Sequence, residues 1–173
     1  MPDGASPALK TRTYSYATER LDLSAAMTLS GLDYMKALVG GEIGAKPSIA
    51  DTVGMSIPMD LAEGHCVFEA EPADFLLNPL GTVHGGWAAT LLDSALGCAV
   101  HTALPPATGY TTAELKVNYT RAIRPDTGRL RAIGDVIHIG RQMATAEAKL
   151  IGVDDGKLYA HGSTTCFVFP LKG

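Results

Sequence analysis

Asp93 is the one Asp, Glu, Lys or Arg between Phe75 and Ala113, and it stands in a run made almost entirely of Ala, Leu, Gly, Cys and Trp. No Lys or Arg lies three or four positions to either side, so no local helix ion pair can stabilise it. A lone carboxylate in apolar surroundings is costly unless hydrogen bonds or water reach it. Seven and eight positions earlier come Gly86 and Gly85, where free backbone N–H groups and the positive end of a helix dipole attract negative charge. A helix start that holds a developing oxyanion, with a carboxylate two turns further along, suits acyl transfer. The same residues also fit a buried Asp bonded to backbone and glycines that permit tight packing. Residue types alone leave both readings open.

The element that must position these groups is a helix over 85–101. Asn78-Pro79 and Leu80-Gly81 are breaker pairs that make a turn before it, and Leu104-Pro105-Pro106 ends it. Lacking Lys, Arg and Glu, it reads as buried on all sides. Gly86, Ala89, Thr90, Asp93, Gly97 and Val100 share a face of small residues, while Trp87, Ala88, Leu91, Leu92, Ala95, Cys98 and Ala99 make the band to pack on a sheet. Strands are expected at 51–61, 65–72, 110–123, 129–139, 142–153 and 158–169, with Asp155-Gly156 as a hairpin turn. Ahead of them, residues 1–22 read as a loose arm with a short strand at 14–17. Residues 24–39 read as helical, with Ser30 or Asp33 able to start a fresh set of turns and Gly40-Gly41 as the stop. Two strands, a buried helix and a four-strand meander make an α+β architecture.

The stretch Asn78-Pro-x-Gly-x-x-His84-Gly85-Gly86, followed by Leu92-Asp93-Ser94, resembles the signature of hotdog-fold thioesterases of the phenylacetic-acid-degradation (PaaI) type. The resemblance continues through 111–119, 136–141 and 164–169, and so covers roughly residues 50 to 170. It implies an antiparallel sheet wrapped around a long central helix, with an N-terminal arm and helix over 1–48 added to a thioesterase domain over 49–170. The implied activity is hydrolysis of an acyl-CoA thioester without a cofactor or metal. Asp93 is then the general base or the nucleophile, and the Gly85 N–H the oxyanion donor.

By the same resemblance, Asn78 orients the water or carboxylate, His84 binds and polarises the thioester, and Thr112 places a hydroxyl near the water. Gly86 belongs to the substrate-binding turn. His138-Ile139-Gly140-Arg141 matches a turn that contacts pantetheine and nucleotide, and Arg121 and Arg124 are further anion-binding candidates. Seven of the 14 Lys and Arg fall between Lys116 and Lys149, which suits the phosphates of CoA or a solvated strand face. Arg121-Ala122 stands where the family often has Arg-Pro, a departure at the edge of the site. The resemblance also implies a homodimer or homotetramer, with each site shared between subunits.

The remaining features bound the function. A chain of 173 residues is one domain's worth. A net charge of −4 with no basic block argues against nucleic acid. No apolar run is long enough to span a bilayer. The N-terminal residues do not read as a signal peptide, and three widely spaced cysteines suit free thiols, so a cytoplasmic location is expected. The glycine spacing does not make a dinucleotide fingerprint, and the His and Cys residues lack metal-ligand spacing. Two rivals stay in play: a hydratase or dehydratase on the same fold with His84 as its base, and a non-catalytic acyl-CoA-binding module.

Overall fold

The structure is a computed structural model, and it describes residues 8–19 and 21–172. Its axis is α3 (Gly85–Thr102). The His84 side chain caps this helix by accepting the Gly86 N–H at 2.9 Å. Leu91, Leu92, Ala95, Leu96, Ala99 and Val100 are almost wholly buried along its length. The helix is not buried on all sides, however: Gly86 is exposed and Thr90, Asp93 and Ser94 are half-buried, which leaves an open stripe.

Six antiparallel strands wrap α3: β1 (Asp60–Ala62), β2 (His65–Ala70), β3 (Thr108–Tyr119), β4 (Leu130–Ile139), β5 (Met143–Gly152) and β6 (Leu158–Pro170). Their order in the sheet is β1-β2-β4-β5-β6-β3, so the helix-following strand β3 forms one edge. This is the hotdog arrangement expected from the sequence. Sheet and helix touch most closely at Gly134, where an added Cβ would lie 2.4 Å from the Ala95 carbonyl oxygen. Only a residue without a side chain fits that crossing.

A β-bulge at Ala113 decides what β3 presents to the helix. Side chains alternate faces along a strand, and one extra residue reverses the alternation. Tyr110 and Thr112 therefore face the second half of α3. Past the bulge, Leu115 and Val117 pack on the core and Tyr119 reaches the helix start, donating to the Gly85 carbonyl at 3.0 Å. Without the bulge, the charged Glu114 and Lys116 would take the inward positions.

The N-terminal part differs from the sequence expectation in two places. Residues 51–61 are not one strand: α2 (Ser48–Val53) follows Pro47 and stops at Gly54, whose φ is +70°, leaving only the short β1. Apolar residues here serve a helical turn because the Trp87 indole N–H takes the Val53 carbonyl at 2.9 Å. No strand forms at 14–17; Arg12 instead donates to the carbonyls of Asp51 and Thr52 and stacks on Phe75. Residues 1–7 and 20 of the expected arm lie outside the described residues.

The helical reading of 24–39 resolves into a 3₁₀ turn (Leu23–Met27) and α1 (Gly31–Gly40). Ser30 caps α1 by accepting the Asp33 N–H, and Gly41 ends it in the left-handed conformation. Helix α1 docks on the C-terminal end of α3. The Gly31 N–H donates to Leu104 at 2.9 Å, and a Cβ at Gly31 would lie 1.7 Å from the His101 carbonyl oxygen. The first residue of α1 thus has to be glycine.

Candidate active site

Asp93 opens into a cavity of about 400 Å³ between the second half of α3, strand β3 and the N-terminal elements. On the α3 side its wall is Asp93, Ser94, Gly97, Cys98 and His101, one side of the helix over two turns. Strand β3 contributes Tyr110 and Thr112, and β2 contributes Phe68. The opposite wall is Leu21, Leu23, Tyr34, Met35, Leu38, Ile49, Met55 and Ile57. Asp93 is the sole carboxylate in this otherwise mainly apolar lining.

The Thr112 hydroxyl donates to Asp93 Oδ1 at 3.1 Å. Threonine suits a strand for its branching alone, yet here the bulge one residue later aims it at the helix. The fold brings the Thr112 hydroxyl, which the resemblance set near the water, onto the Asp93 carboxylate.

Asn78, His84, Gly85 and Gly86 lie at the other end of the helix. Gly85 precedes Asp93 by eight residues, about 12 Å at 1.5 Å per residue. Asn78 shapes the loop: its Oδ1 accepts the N–H groups of Leu80 and Thr82, and its Nδ2 donates to the Thr82 hydroxyl. The Gly85 N–H donates to no acceptor among the described residues. His84 is exposed, and with Nδ1 accepting from Gly86, a neutral ring carries its proton on Nε2. That proton points a donor outward, as polarising a carbonyl requires. Arg121 shares a cleft of about 260 Å³ with Asn78, Gly85 and Tyr119.

His138 lies near the end of β4, and Gly140 and Arg141 form the turn between β4 and β5, with the His138 and Arg141 side chains exposed. Across the sheet, Thr112 pairs with Cys166, Cys166 with Ala144, and Ala144 with Ile139. Three strand spacings of about 4.8 Å put this turn roughly 14 Å from Thr112. One chain therefore holds three separate groupings: the Asp93–Thr112 pair, the helix start with Arg121, and the β4–β5 turn.

Several cavity residues carried no signal as site residues in the sequence. Tyr34 and Tyr110 fall in an expected helix and an expected strand outside the motifs, and His101 at the end of the expected helix. The periodicity did hold a clue, since His101 follows Asp93 by eight residues on the same side of α3. Burial lowers the His101 pKa and keeps the ring neutral. Burial first, and then the nearby Cys98, Cys166 and Asp93, push Tyr110 well above its ordinary value.

Comparison with known proteins now adds the family. Residues 80–159 match the model of the thioesterase superfamily. A candidate esterase of Pseudomonas aeruginosa is 30% identical over 130 residues, covering 74% of this chain and 86% of the relative. The chain belongs to the thioesterase superfamily.

Another candidate esterase, from Halobacterium salinarum, is 42% identical over 73 residues; this covers 41% of the chain and only 46% of that relative. Among solved structures, a phenylacetic acid degradation-related protein of Ralstonia eutropha, described as a candidate thioesterase, superposes with a TM-score of 0.69. It is 26% identical, and the match covers 78% of this chain and 98% of that one. The PaaI-type resemblance is thereby supported, and thioester hydrolysis is the reaction class that membership supports. Among the described residues, no helix of this superfamily member is long and apolar enough to cross a membrane.

Proposed function

We propose that the protein is an acyl-CoA thioesterase in which Asp93 activates the attacking water or attacks the thioester itself. The observation that carries this reading is the Asp93–Thr112 pair at 3.1 Å, set in the wall of an apolar cavity large enough for an acyl group. In the base form, the Asp93 carboxylate takes a proton from water as the water oxygen bonds to the carbonyl carbon. The carbonyl oxygen gains negative charge beside the Gly85 N–H. The C–S bond then breaks and the sulfur leaves with the electron pair. A free thiol has a pKa near 8.5, so the departing thiolate needs no strong acid. In the nucleophile form, an Asp93 oxygen bonds to the carbonyl carbon, the C–S bond breaks as the thiolate leaves with the electron pair, and water then cleaves the mixed anhydride to free acid and the restored Asp93 carboxylate.

The roughly 12 Å between Gly85 and Asp93 on one helix supports a site completed by a second copy of the chain. On that reading the Asn78–His84–Gly85 turn of one protomer faces Asp93 of its partner. Strand β3, a twelve-residue edge with one side unpaired, suits a continuous sheet between two copies, as a homodimer or within a homotetramer. Thr112 then holds the Asp93 carboxylate, and His84 binds the thioester carbonyl through Nε2–H. Arg121, His138 and Arg141 offer side-chain donors and cations for the CoA portion, while Gly86 and Gly140, whose own N–H groups are taken by His84 Nδ1 and the Met143 carbonyl, let it approach the backbone. The free thiols of Cys66, Cys98 and Cys166 suit a reducing compartment such as the cytoplasm.

The test is thiol release from a panel of acyl-CoA substrates by native protein and by Asp93→Asn. Turnover that falls at least a hundredfold in the variant supports the reading. No thiol release from any acyl-CoA overturns it.

A further inference from the structure

The reaction uses one end of the cavity, and the other end has a chemistry of its own. Two turns beyond Asp93, the His101 ring lies between Tyr34 and Tyr110, with centroids 5.2 Å and 5.6 Å away. All three line the cavity. Tyr34 is 3% exposed, and its hydroxyl has no hydrogen-bond partner among the described residues. Its ring is otherwise well housed, in a small core with Ala26, Ala37, Leu38 and Ile43. A buried polar group without a partner costs free energy, so this phenol oxygen is not placed there for the packing of the ring.

Building on the thioesterase reading, we propose that this aromatic end recognises the tail of the acyl group. The preferred acyl chain carries a neutral oxygen near its end, a hydroxyl, keto or ether group, which accepts a hydrogen bond from Tyr34. The length follows from α3. His101 lies eight residues past Asp93, about 12 Å along the helix. An extended chain of about eight to ten carbons covers that span at roughly 1.25 Å per bond. A terminal carboxylate does not fit, because its charge would lose water in the cavity and the one cation in the lining, Lys46, is already paired with Asp51 at 2.6 Å. Burial, together with Asp22, raises the Tyr34 pKa, so the phenol stays protonated and remains a donor. A plain hydrocarbon tail would leave that donor unpaired, and this is the source of selectivity.

The experiment uses two CoA thioethers that cannot be hydrolysed, S-octyl-CoA and S-(8-hydroxyoctyl)-CoA, titrated calorimetrically into native protein and Tyr34→Phe. Native protein should bind the hydroxyl-tailed ligand about tenfold more tightly. In Tyr34→Phe the ratio should fall to about one, with the affinity for S-octyl-CoA retained. Equal affinities in native protein, no binding of either ligand, or a variant that weakens both alike would each overturn the proposal. The melting temperature of unliganded Tyr34→Phe should be unchanged or higher, and a fall of several degrees would assign the hydroxyl to the fold instead. Thiol release from octanoyl-CoA and 8-hydroxyoctanoyl-CoA separates this inference from the reading it rests on. Turnover without preference defeats only the tail recognition, whereas preferential thioether binding without turnover of any thioester defeats only the hydrolase.

Discussion

The Thr112 hydroxyl donates to Asp93 Oδ1 at 3.1 Å, across the gap between the edge strand and the central helix. This bond fixes one carboxylate oxygen and leaves the other for a water or a carbonyl carbon. Asp93→Asn keeps an acceptor for Thr112, so its melting temperature should stay near the native value while kcat/KM drops a hundredfold or more. Thr112→Val keeps the shape and removes the donor. Its kcat should fall about tenfold, the scale of a hydrogen bond to a charged group, and Thr112→Ser should restore most of it.

His84 separates the thioesterase from the hydratase reading. Its Nδ1 is taken by the Gly86 N–H, so the ring offers a donor rather than a base. His84→Ala should lose the helix cap, at about 1 kcal/mol of stability by chemical denaturation. Thiol release should fall less than in Asp93→Asn. A variant as inactive as Asp93→Asn would return weight to His84 as an obligatory base.

The bulge at Ala113 sets the inward residues on both sides of it. Deleting Ala113 would force either Tyr110 and Thr112 or Leu115, Val117 and Tyr119 onto the outer face. The expected result is an insoluble or molten chain, seen as lost near-ultraviolet circular dichroism and no cooperative melt.

Gly31 makes a backbone contact that no side chain fits, 1.7 Å from the His101 carbonyl oxygen once a Cβ is added. Gly31→Ala should push α1 off the end of α3 and open the cavity wall that carries Tyr34 and Met35. In thiol-release assays KM should rise more than kcat falls, and amide exchange should quicken across α1 while β4, β5 and β6 stay protected.

The buried His101 makes stability depend on pH. Its pKa is lowered from 6.5 by burial, so below that value the unfolded chain binds a proton that the folded one refuses. Stability therefore rises with pH across this window, and the contribution is complete above about 6.5 and lost as pH falls toward the lowered folded pKa. Asp22 and Asp155, held below the ordinary carboxylate range by bonds from Ser24 and Lys157, act only in stronger acid. Urea midpoints between pH 7 and 5 should fall for native protein and stay flatter for His101→Phe.

Sequence alone determined the helix, its ends and the singular Asp93, because these rest on local signals: breaker pairs, a double proline and one charge in an apolar run. It also determined five of the six strands to within a few residues, through alternation and turn glycines. Residues 51–61 were misread because a six-residue helix between Pro47 and Gly54 has too few turns to show a period. The fold decided which strand faces reach the helix, since one bulge residue reverses a strand's alternation and the residue types around Ala113 do not announce it. It decided the cavity too: Tyr34, His101 and Tyr110 come from three elements, and only the docking of α1 on α3 at Gly31 brings them to one wall. Proximity between distant segments is a property of packing, and residue types in a chain carry it only where a local period already implies the face.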